Sequence, residues 1–520
     1  MNSRARLILR VVLLVIVVIV LGRRYWHLPG TEARPQLTAS PAAAAKEAQQ
    51  LRVGSVVFKS CEIGHRAEAG PANATAAAFC TRFDVPEDWN APQGRHIQLH
   101  VALVKSGAAH PPPDLVTYLD GGPGGAATET YPAIVQAFAP LKEKRDILLI
   151  DQRGTGASNP LRCEQQKDEE KSAVKDLARG VELVQKCLEH LRTHSAPEHY
   201  TTTDANRDLE AVRQALGAPP LNLIAISYGT RAAQQYAGHY PGAIRSVVLD
   251  STVPNPLVLG SEHARNLEAA LRAEFALCTQ NPRCEKNFGD TYKTLYRLRD
   301  HLRGHPEDVA MRDPNTFEPT RLTMSAPDLA GIVRMYLYSP LTASLLPLML
   351  HEADHGNYEP LLSQKKLLSD SLGAEISGGM ELSVICSEDA DLMSARPEDA
   401  DTLIGNALIE RIKAACSVWP KGQRPQDFHQ PWTSALPVLV LAGQYDPVTP
   451  PAYGETVVKT LSHSRLLIVP GQGHSVIGAG CMPKLVSQFI DDLQPGKIDA
   501  DCLTELGDTP AFVDFNGPPP

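Results

Sequence analysis

The sequence predicts an α/β fold in which a mostly parallel, doubly wound sheet is interrupted by an inserted helical cap. Short apolar runs rich in Val, Ile and Leu recur along the chain, and each of them ends in glycine or aspartate. Helical patterns lie between these runs, and near-continuous apolar strands are typical of a sheet covered by helices on both faces. The stretch 255–430 breaks the rhythm because it is rich in helical patterns and poor in strand-like runs.

The chain begins with an apolar segment. Arg4 and Arg6 precede an apolar run at 7–22, and two further arginines follow it directly. A positive start followed by an apolar run is typical of an export signal. The run is short beside the about 20 residues of a membrane-spanning helix, yet no small-residue cleavage site stands at its end. We expect residues 1–24 to be a cleaved signal peptide or an uncleaved membrane anchor, and the rest of the chain to be periplasmic, secreted or anchored outside the cytoplasm.

The remaining boundaries follow from composition. Residues 25–50 are rich in Ala, Pro and polar residues without a hydrophobic period, which predicts a linker. Strand-like runs on both sides of the cap should belong to one sheet. We therefore expect a first core segment at 51–254, the cap insertion at 255–430, a second core segment at 431–505 and a tail at 506–520.

The charge of the chain bears on its partners. The formal net charge is -9, and the sequence pI is near 6.0. A nucleic-acid-binding protein usually carries a basic surface patch, which this composition does not suggest. We therefore do not expect nucleic acid as a partner.

The cysteines point to an oxidising compartment. There are ten, an even number, and they lie along the chain as neighbouring pairs. Sequence alone does not fix their connectivity, but neighbour pairing is expected because short loops cost the least entropy to close. A metal site is the alternative, and against it the chain has no CxxC motif. The expected pairs are Cys61/Cys80, Cys163/Cys187, Cys278/Cys284, Cys386/Cys416 and Cys481/Cys502.

Ser227 follows an apolar run directly and is the candidate nucleophile. A sharp strand-to-helix turn that exposes a serine needs small residues two positions before and after it, because the flanking backbone comes into close contact. Ala225 and Gly229 meet this need, although alanine replaces the first glycine of G-x-S-x-G. The helix that follows would aim its N-terminal amides at the site. Taken alone, the motif could also be a turn serine.

Asp446 and His474 complete the candidate triad. Each follows a strand-like run, at 437–441 and 465–469, and the order Ser, acid, His is the one this strand-turn-helix arrangement requires. His474 would act first as general base and then as general acid. Asp446 would hold its tautomer and stabilise the imidazolium. Taken alone, Asp446 could be an ordinary turn aspartate and His474 an ordinary loop histidine. Three such loops in the right order favour a triad.

The glycine-rich loop at 120–125 follows the strand-like run 115–119 and is the expected place for an oxyanion hole. Glycines let the backbone approach a substrate oxygen, so we expect the N–H groups of Gly122 and Tyr228 to be the donors. A phosphate-binding loop is the alternative, but neither G-x-G-x-x-G nor a P-loop lysine is present. Asp151 and Arg153, in the next loop, are expected to be structural.

Together these motifs resemble the proline iminopeptidase and tripeptidyl aminopeptidase branch of the α/β hydrolases. Residues 410–502, with their two cysteines, resemble the C-terminal region of tripeptidyl aminopeptidases. The likeness covers about 80–505, and iminopeptidases often carry His where this chain has Asp120. The motifs that carry the resemblance are 121–124, 151–154, 203–208, 227–229, 443–449 and 471–474.

The resemblance implies an α/β-hydrolase fold and an exported serine exopeptidase that releases short units from peptide N-termini through an acyl-enzyme, without metal or cofactor. It also implies carboxylates in the cap that bind the free ammonium group of the peptide, and it draws attention to Glu388. A solvated acidic turn is the alternative for Glu388. An esterase or other acyl hydrolase with the same triad is the alternative function, because the substrate is selected in the cap. A non-catalytic binding protein of this fold would be expected to lack a triad member.

Overall fold

The computed structural model describes residues 50–64, 74–163 and 177–518, apart from the side chains of 369–375. The predicted signal or anchor segment, and the linker up to residue 49, lie outside these residues. Within the described chain, no helix is both long and apolar enough to cross a membrane.

A sheet of ten strands forms the centre of the described chain, in the order β1-β2-β3-β4-β6-β5-β7-β8-β11-β12. Antiparallel pairing runs from β1 to β6, and every pair from β6 to β12 is parallel. The prediction of a mostly parallel α/β sheet is confirmed. The strands are β1 Gln50–Val53, β2 Val56–Gly64, β3 Thr75–Pro86, β4 His96–Val104, β5 Val116–Leu119, β6 Ile147–Ile150, β7 Leu221–Ile226, β8 Ile244–Asp250, β9 Glu307–Arg312, β10 Pro319–Met324, β11 Val438–Gly443 and β12 Ser464–Val469.

Helices lie between the strands and in the cap. Before the cap they are α1 Ala127–Thr130, α2 Val135–Lys142, α3 Leu177–Leu191, α4 Thr202–Ala215 and α5 Tyr228–His239. Between β8 and β11 they are α6 His263–Gln280, α7 Pro282–Phe288, α8 Thr291–Gly304, α9 Ala326–Tyr336, α10 Pro340–Ala343, α11 Leu346–Asp354, α12 Glu359–Glu375, α13 Gly378–Glu388 and α14 Ala407–Cys416. After β11 they are α15 Pro451–Val458 and α16 Met482–Asp492. Short 3-10 turns are Tyr131–Ile134, Pro197–His199, Pro241–Ala243, Pro397–Asp399, Pro495–Lys497 and Asp501–Glu505.

The two faces of the sheet pack against two separate hydrophobic cores. In β7, Leu223 and Ala225 belong to one core and Ile224 and Ile226 to the other. Side chains of a strand alternate between faces, so a strand with apolar residues at every position must be covered on both sides. All six residues of β7 are buried, which explains why the run before Ser227 is continuously apolar.

The cap region combines a core of its own with segments that belong to the sheet. Its own core extends from Leu267 to Leu403 and packs the helices α6, α8, α9, α11 and α12 together. Met380, Val384 and Trp419, by contrast, lie in the core on one face of the sheet. The cap also contains the antiparallel hairpin β9–β10, which the sequence did not indicate. The stretch 255–430 therefore contributes both to a separate helical lobe and to the main core.

Five disulfides join all ten cysteines, and each joins neighbours along the chain, which are the pairs expected from the sequence. The bonds are Cys61–Cys80, Cys163–Cys187, Cys278–Cys284, Cys386–Cys416 and Cys481–Cys502. The first joins the adjacent strands β2 and β3, the third joins α6 to α7, and the fourth joins α13 to α14.

These bonds bear on stability and on the compartment in which the protein folds. A disulfide that closes a loop in this way typically contributes about 2–4 kcal/mol to stability. Disulfides persist in oxidising compartments, and these five fit a protein that folds in one. Among the described residues no cysteine is left unpaired.

Candidate active site

Ser227 lies at the sharp turn between β7 and α5. Its φ of 55° is in the left-handed region, which a residue with a side chain rarely adopts. The turn brings backbones very close together, since a Cβ built on Gly229 would lie 2.3 Å from the carbonyl oxygen of Leu119. Only glycine fits there. The serine thus stands at the N-terminus of α5, where unpaired amides favour negative charge.

Asp446 and His474 are in direct contact. His474 Nδ1 lies 2.8 Å from Asp446 Oδ2, and both side chains are largely buried. The other hydrogen bonds to Asp446 come from its own loop. The N–H groups of Val448 and Thr449 donate to Oδ1 at 2.8 Å each, and the Thr449 hydroxyl donates to Oδ2 at 2.8 Å. The carboxylate is therefore held in one orientation, with one oxygen facing the imidazole.

The electrostatics favour an ionised aspartate beside the imidazole. Burial would raise the pKa of Asp446, but the charge and hydrogen bond of His474 and the two loop N–H groups outweigh it and lower the pKa to about 2. Burial would lower the pKa of His474, and the negative charges of Asp446 and Asp250 outweigh that effect, so this pKa is raised. The imidazole is thus made a stronger base.

Asp250, at the end of β8, connects the serine turn to the histidine loop. Its backbone carbonyl accepts a hydrogen bond from Ser227 N–H at 3.0 Å. Its carboxylate accepts from the N–H groups of Val476 and Ile477 at 2.9 Å and from the Ser475 hydroxyl at 3.0 Å. The sequence shows Asp250 only as the residue that ends a strand, so this role was missed.

The three candidate triad residues are brought to one edge of the sheet, beyond the carboxyl ends of β7, β11 and β12. His474 also packs against the cap, where the Tyr338 ring lies edge-on to the imidazole at 5.0 Å between centroids. Within the described residues, Ser227 Oγ makes no hydrogen bond to His474. Such bonds often tighten only when substrate is bound.

The glycine loop lies directly beside the serine. A Cβ built on Gly121 would lie 3.0 Å from Cβ of Ser227, so the loop approaches as closely as glycine allows. Asp120 fixes this loop, because its Oδ1 accepts from Gly121 N–H at 2.8 Å and from the Tyr118 hydroxyl at 2.6 Å. Gly122, whose φ is 111°, lines the cavity above the serine. Tyr228, the other expected oxyanion donor, lines the same cavity.

A cavity of about 120 Å³ lies over Ser227, between the sheet and the cap. Its polar lining includes Arg334 of α9 and Glu381 of α13, while Leu257, Leu408 and other apolar side chains form much of the remaining wall. Glu381 lines this cavity, and more than a third of its surface is exposed. Burial within the protein raises the pKa of Glu381, and the positive charge of Arg334 partly opposes this. The cavity over the serine is therefore lined by both a carboxylate and a guanidinium group.

Glu388 does not face the cavity, which contradicts the expected contact with a substrate amine. It is fully buried, and its carboxylate accepts from the Thr202 N–H at 2.7 Å and from the Thr202 hydroxyl at 2.8 Å. Burial raises its pKa to about 8. Glu381 and Glu388 lie on the same side of α13 but two turns apart, which is about 10 Å along the axis. The helical period places both glutamates on one face of α13. Only the tertiary structure shows that the turn with Glu381 lines the cavity and the turn with Glu388 does not.

Other groups near the site have structural roles. Asn266 of α6 donates to the Val448 carbonyl and to the Tyr453 hydroxyl, both at 2.8 Å, and so ties the cap to the Asp446 loop. Across the described residues, no group of three or more His, Cys, Asp or Glu side chains is arranged to hold a metal ion.

Comparison with known proteins agrees with this architecture. Residues 114–315 match the family described as the alpha/beta hydrolase fold, and residues 401–502 match the family of TAP-like proteins. The serine protease Hip1 of Mycobacterium tuberculosis (strain ATCC 25618 / H37Rv) is 25% identical over 449 residues, which cover 79% of this chain and 85% of that protein. The tripeptidyl aminopeptidase of Streptomyces coelicolor is 32% identical over 196 residues, which cover 34% of this chain and 35% of that protein.

A third relative, the putative hydrolase YuaR of Escherichia coli (strain K12), is 25% identical over 430 residues, or 77% of this chain and 81% of that protein. The fold and these matches define a serine hydrolase of the α/β-hydrolase type. More narrowly, the family matches and the relatives support an α/β-hydrolase serine peptidase with a tripeptidyl-aminopeptidase-like C-terminal region.

Proposed function

We propose that the protein is an exported serine exopeptidase that removes short units from the free N-termini of peptides. The observation that carries this proposal is the accessible carboxylate of Glu381 in the same cavity as Ser227. This carboxylate lies beside the serine, and the α-ammonium group of a peptide is a cation that can pair with it there. The names of the Streptomyces relatives support the same class of substrate.

The chemistry that we propose is acyl transfer. Ser227 Oγ attacks the carbonyl carbon while His474 removes its proton, and the N–H groups of Gly122 and Tyr228 stabilise the oxyanion. His474 then gives the proton to the leaving amine, and the C–N bond breaks to leave an ester on Ser227. A water molecule, deprotonated by His474, hydrolyses that ester. Asp446 stays ionised throughout and stabilises the imidazolium.

Recognition of the N-terminus follows from the shape and charge of the site. The cavity is small and lies beneath the cap, which suits a short unit on the N-terminal side of the scissile bond. An ammonium group beside Glu381 would offset the burial that raises the pKa of this carboxyl group. We propose Glu381, in place of Glu388, as the group that binds the amine.

Export is the remaining part of the proposal. Five disulfides fit an oxidising compartment, and the basic and apolar pattern of residues 1–24 is typical of a signal peptide or anchor. Cell fractionation of the full chain tests this: the protein should be found outside the cytoplasm, and recovery from the cytoplasm with reduced cysteines would contradict it.

The function is tested with three kinds of substrate: tripeptide p-nitroanilides with a free N-terminus, the same compounds acetylated at the N-terminus, and short p-nitrophenyl esters. The wild type should prefer the free peptides strongly, and Ser227→Ala should abolish hydrolysis of all three. Glu381→Gln should lower kcat/KM for the free peptides about 10- to 100-fold, because a hydrogen bond to a charged group is lost. Its hydrolysis of the small esters should be nearly unchanged.

Glu359→Gln is the matched control, since Glu359 is an exposed carboxylate at the start of α12. This variant should behave as the wild type with all substrates. Equal hydrolysis of free and acetylated peptides would exclude an exopeptidase and leave the serine mechanism intact. Activity that survives in Ser227→Ala would exclude the mechanism itself.

A further inference from the structure

A larger groove of about 730 Å³ continues from the active-site cavity into the cap. Its volume is in the range of about 300–1,000 Å³ that is usual for ligand sites. Arg334 and Leu408 line both the groove and the cavity over Ser227, so the two spaces adjoin. The helices α8, α9 and α14 contribute to its walls.

The groove is positively charged. Five cationic side chains and two carboxylates, those of Asp328 and Glu410, line it. Three of the cations have carboxylate partners: Lys365 pairs with Asp328 at 2.7 Å, and Arg299 and Arg303 both contact Asp300, which lies outside the lining.

The other two cations, Arg334 and Arg411, form no ion pair with any described residue. Among the described residues, Arg334 donates a hydrogen bond only to the Tyr338 hydroxyl, at 3.4 Å, and Arg411 is an exposed residue that lines the groove. Burial and the nearby positive charge of Arg334 lower the pKa of Arg411. The Glu381 carboxylate offsets part of the charge of Arg334, but Arg334 and Arg411 still repel each other, and an anion beside Arg411 would reduce that repulsion.

We infer that this groove holds the C-terminal part of a short peptide substrate and that Arg411 binds a carboxylate of that part. The inference rests on the proposed function, because it takes the N-terminus to be bound at Glu381. A peptide anchored there and reacting at Ser227 would extend past Arg334 into the adjoining groove, and its far end carries a negative charge. A guanidinium group matches the planar geometry of a carboxylate and can bind it with two hydrogen bonds. The structure thus assigns to this enzyme a preference for short peptides with two free ends.

The test uses oligo-alanine peptides of four to six residues with a free N-terminus, each made with a C-terminal carboxylate and with a C-terminal amide. Hydrolysis is followed by separating the products, and the ratio of kcat/KM for the two forms is the readout. For peptides long enough to reach Arg411, kcat/KM of the wild type should be about tenfold higher for the carboxylate form than for the amide form, mainly because KM is lower. In Arg411→Gln this ratio should fall close to one, and Arg411→Lys should restore part of it. Raised ionic strength should lower it in the wild type.

Arg283→Gln is the matched control, because Arg283 is an exposed arginine of the cap that lies outside the groove lining. It should keep the full preference. An amidated peptide that ends in Asp, compared with one that ends in Asn, distinguishes an acidic side chain from the terminal carboxylate as the bound group. A ratio near one in the wild type at every length, or a preference that Arg411→Gln leaves intact, would overturn the inference.

The p-nitroanilide assay with the wild type separates this outcome from failure of the proposed function. Those substrates carry no carboxylate beyond the scissile bond, so their hydrolysis reports only on the N-terminal site and the serine. If they are cleaved and the ratio is one, the groove inference alone is wrong. If free-amine peptides are not cleaved at all, the proposed function is wrong.

Discussion

Both oxygens of the Asp446 carboxylate are used by hydrogen bonds, and this governs the behaviour of His474. One oxygen accepts from two loop N–H groups, and the other contacts the imidazole and the Thr449 hydroxyl. An aspartate with a pKa of about 2 remains ionised over the whole neutral range. The raised pKa of His474 follows mainly from this neighbouring charge, against the effect of burial.

The charge of Asp446 should set the acid limb of the pH profile. In the proposed mechanism His474 accepts a proton from Ser227 only when it is neutral, so kcat/KM should fall as pH decreases through the raised pKa of His474. That limb should lie above the ordinary histidine value of about 6.5. Asp446→Asn should lower kcat by about 10⁴-fold and move the limb to lower pH, because the attraction that raises the pKa is removed. The measurement is a profile of kcat/KM against pH, and an unmoved limb in the variant would contradict this account.

At the scale of elements, the end of β8 joins the turn of Ser227 to the loop of His474, the two residues proposed to react. Asp250 is fully buried, and its carboxylate accepts hydrogen bonds from the loop that follows His474. Burial raises its pKa, and these donors partly oppose the effect. It is a positioning residue, since it acts on the substrate only through the loop that it holds.

Asp250→Asn should therefore lower kcat about tenfold while KM changes little, because one amide oxygen replaces two carboxylate oxygens as acceptors. The negative charge of Asp250 also helps to raise the pKa of His474. The acid limb of kcat/KM should consequently move to lower pH in this variant, which a purely structural loss would not cause. Thr252→Val, which changes a buried neighbour that bonds only a backbone carbonyl, serves as the control.

The disulfide between α13 and α14 has a similar role for substrate binding. Cys386 lies five residues after Glu381 on α13, and Cys416 lies five residues after Arg411 on α14. The bond thus links the helix that bears the proposed amine site to the helix that bears the proposed carboxylate site. The covalent link limits how far these two helices can move apart, which would favour recognition of a peptide at both ends.

At the scale of the whole molecule, one buried arginine connects the antiparallel and parallel parts of the sheet. Arg153, after β6, is fully buried and donates to both oxygens of Asp208 on α4, at 2.7 and 2.6 Å. It also donates to the carbonyl groups of Glu87, after β3, and His199. Its contacts are structural, as the sequence suggested for this loop.

Arg153→Met should destabilise the protein by about 3–5 kcal/mol, because Asp208 would be left as a buried charge without its partner. The double variant Arg153→Met with Asp208→Leu should recover part of this loss, since no unpaired charge remains. The measurement is the free energy of unfolding, obtained by denaturant titration with the disulfides intact. A change below about 1 kcal/mol in the single variant would contradict the structural role.

The parts of the fold that the sequence indicated are those with strong local signals. The parallel strands are continuously apolar because both of their faces are covered, and their ends are marked by glycine and aspartate. The strands β1 to β3 and the hairpin β9–β10 were missed, because they are half exposed and mix polar with apolar residues. Each of them pairs with a strand next to it in the chain, so they were missed because the apolar period of each strand is weak.

The sequence by itself determined the class of fold, the three loops that carry Ser227, Asp446 and His474, and the neighbouring cysteine pairs. Each of these depends on local features: the period of apolar residues, glycine at a tight turn, or short separation along the chain. Only the tertiary structure decided that Glu381 rather than Glu388 lines the cavity, and that Asp250 holds the histidine loop. The groove with Arg411 was also visible only there. Which turn of a helix reaches a cavity depends on how elements pack, and no local pattern carries that information.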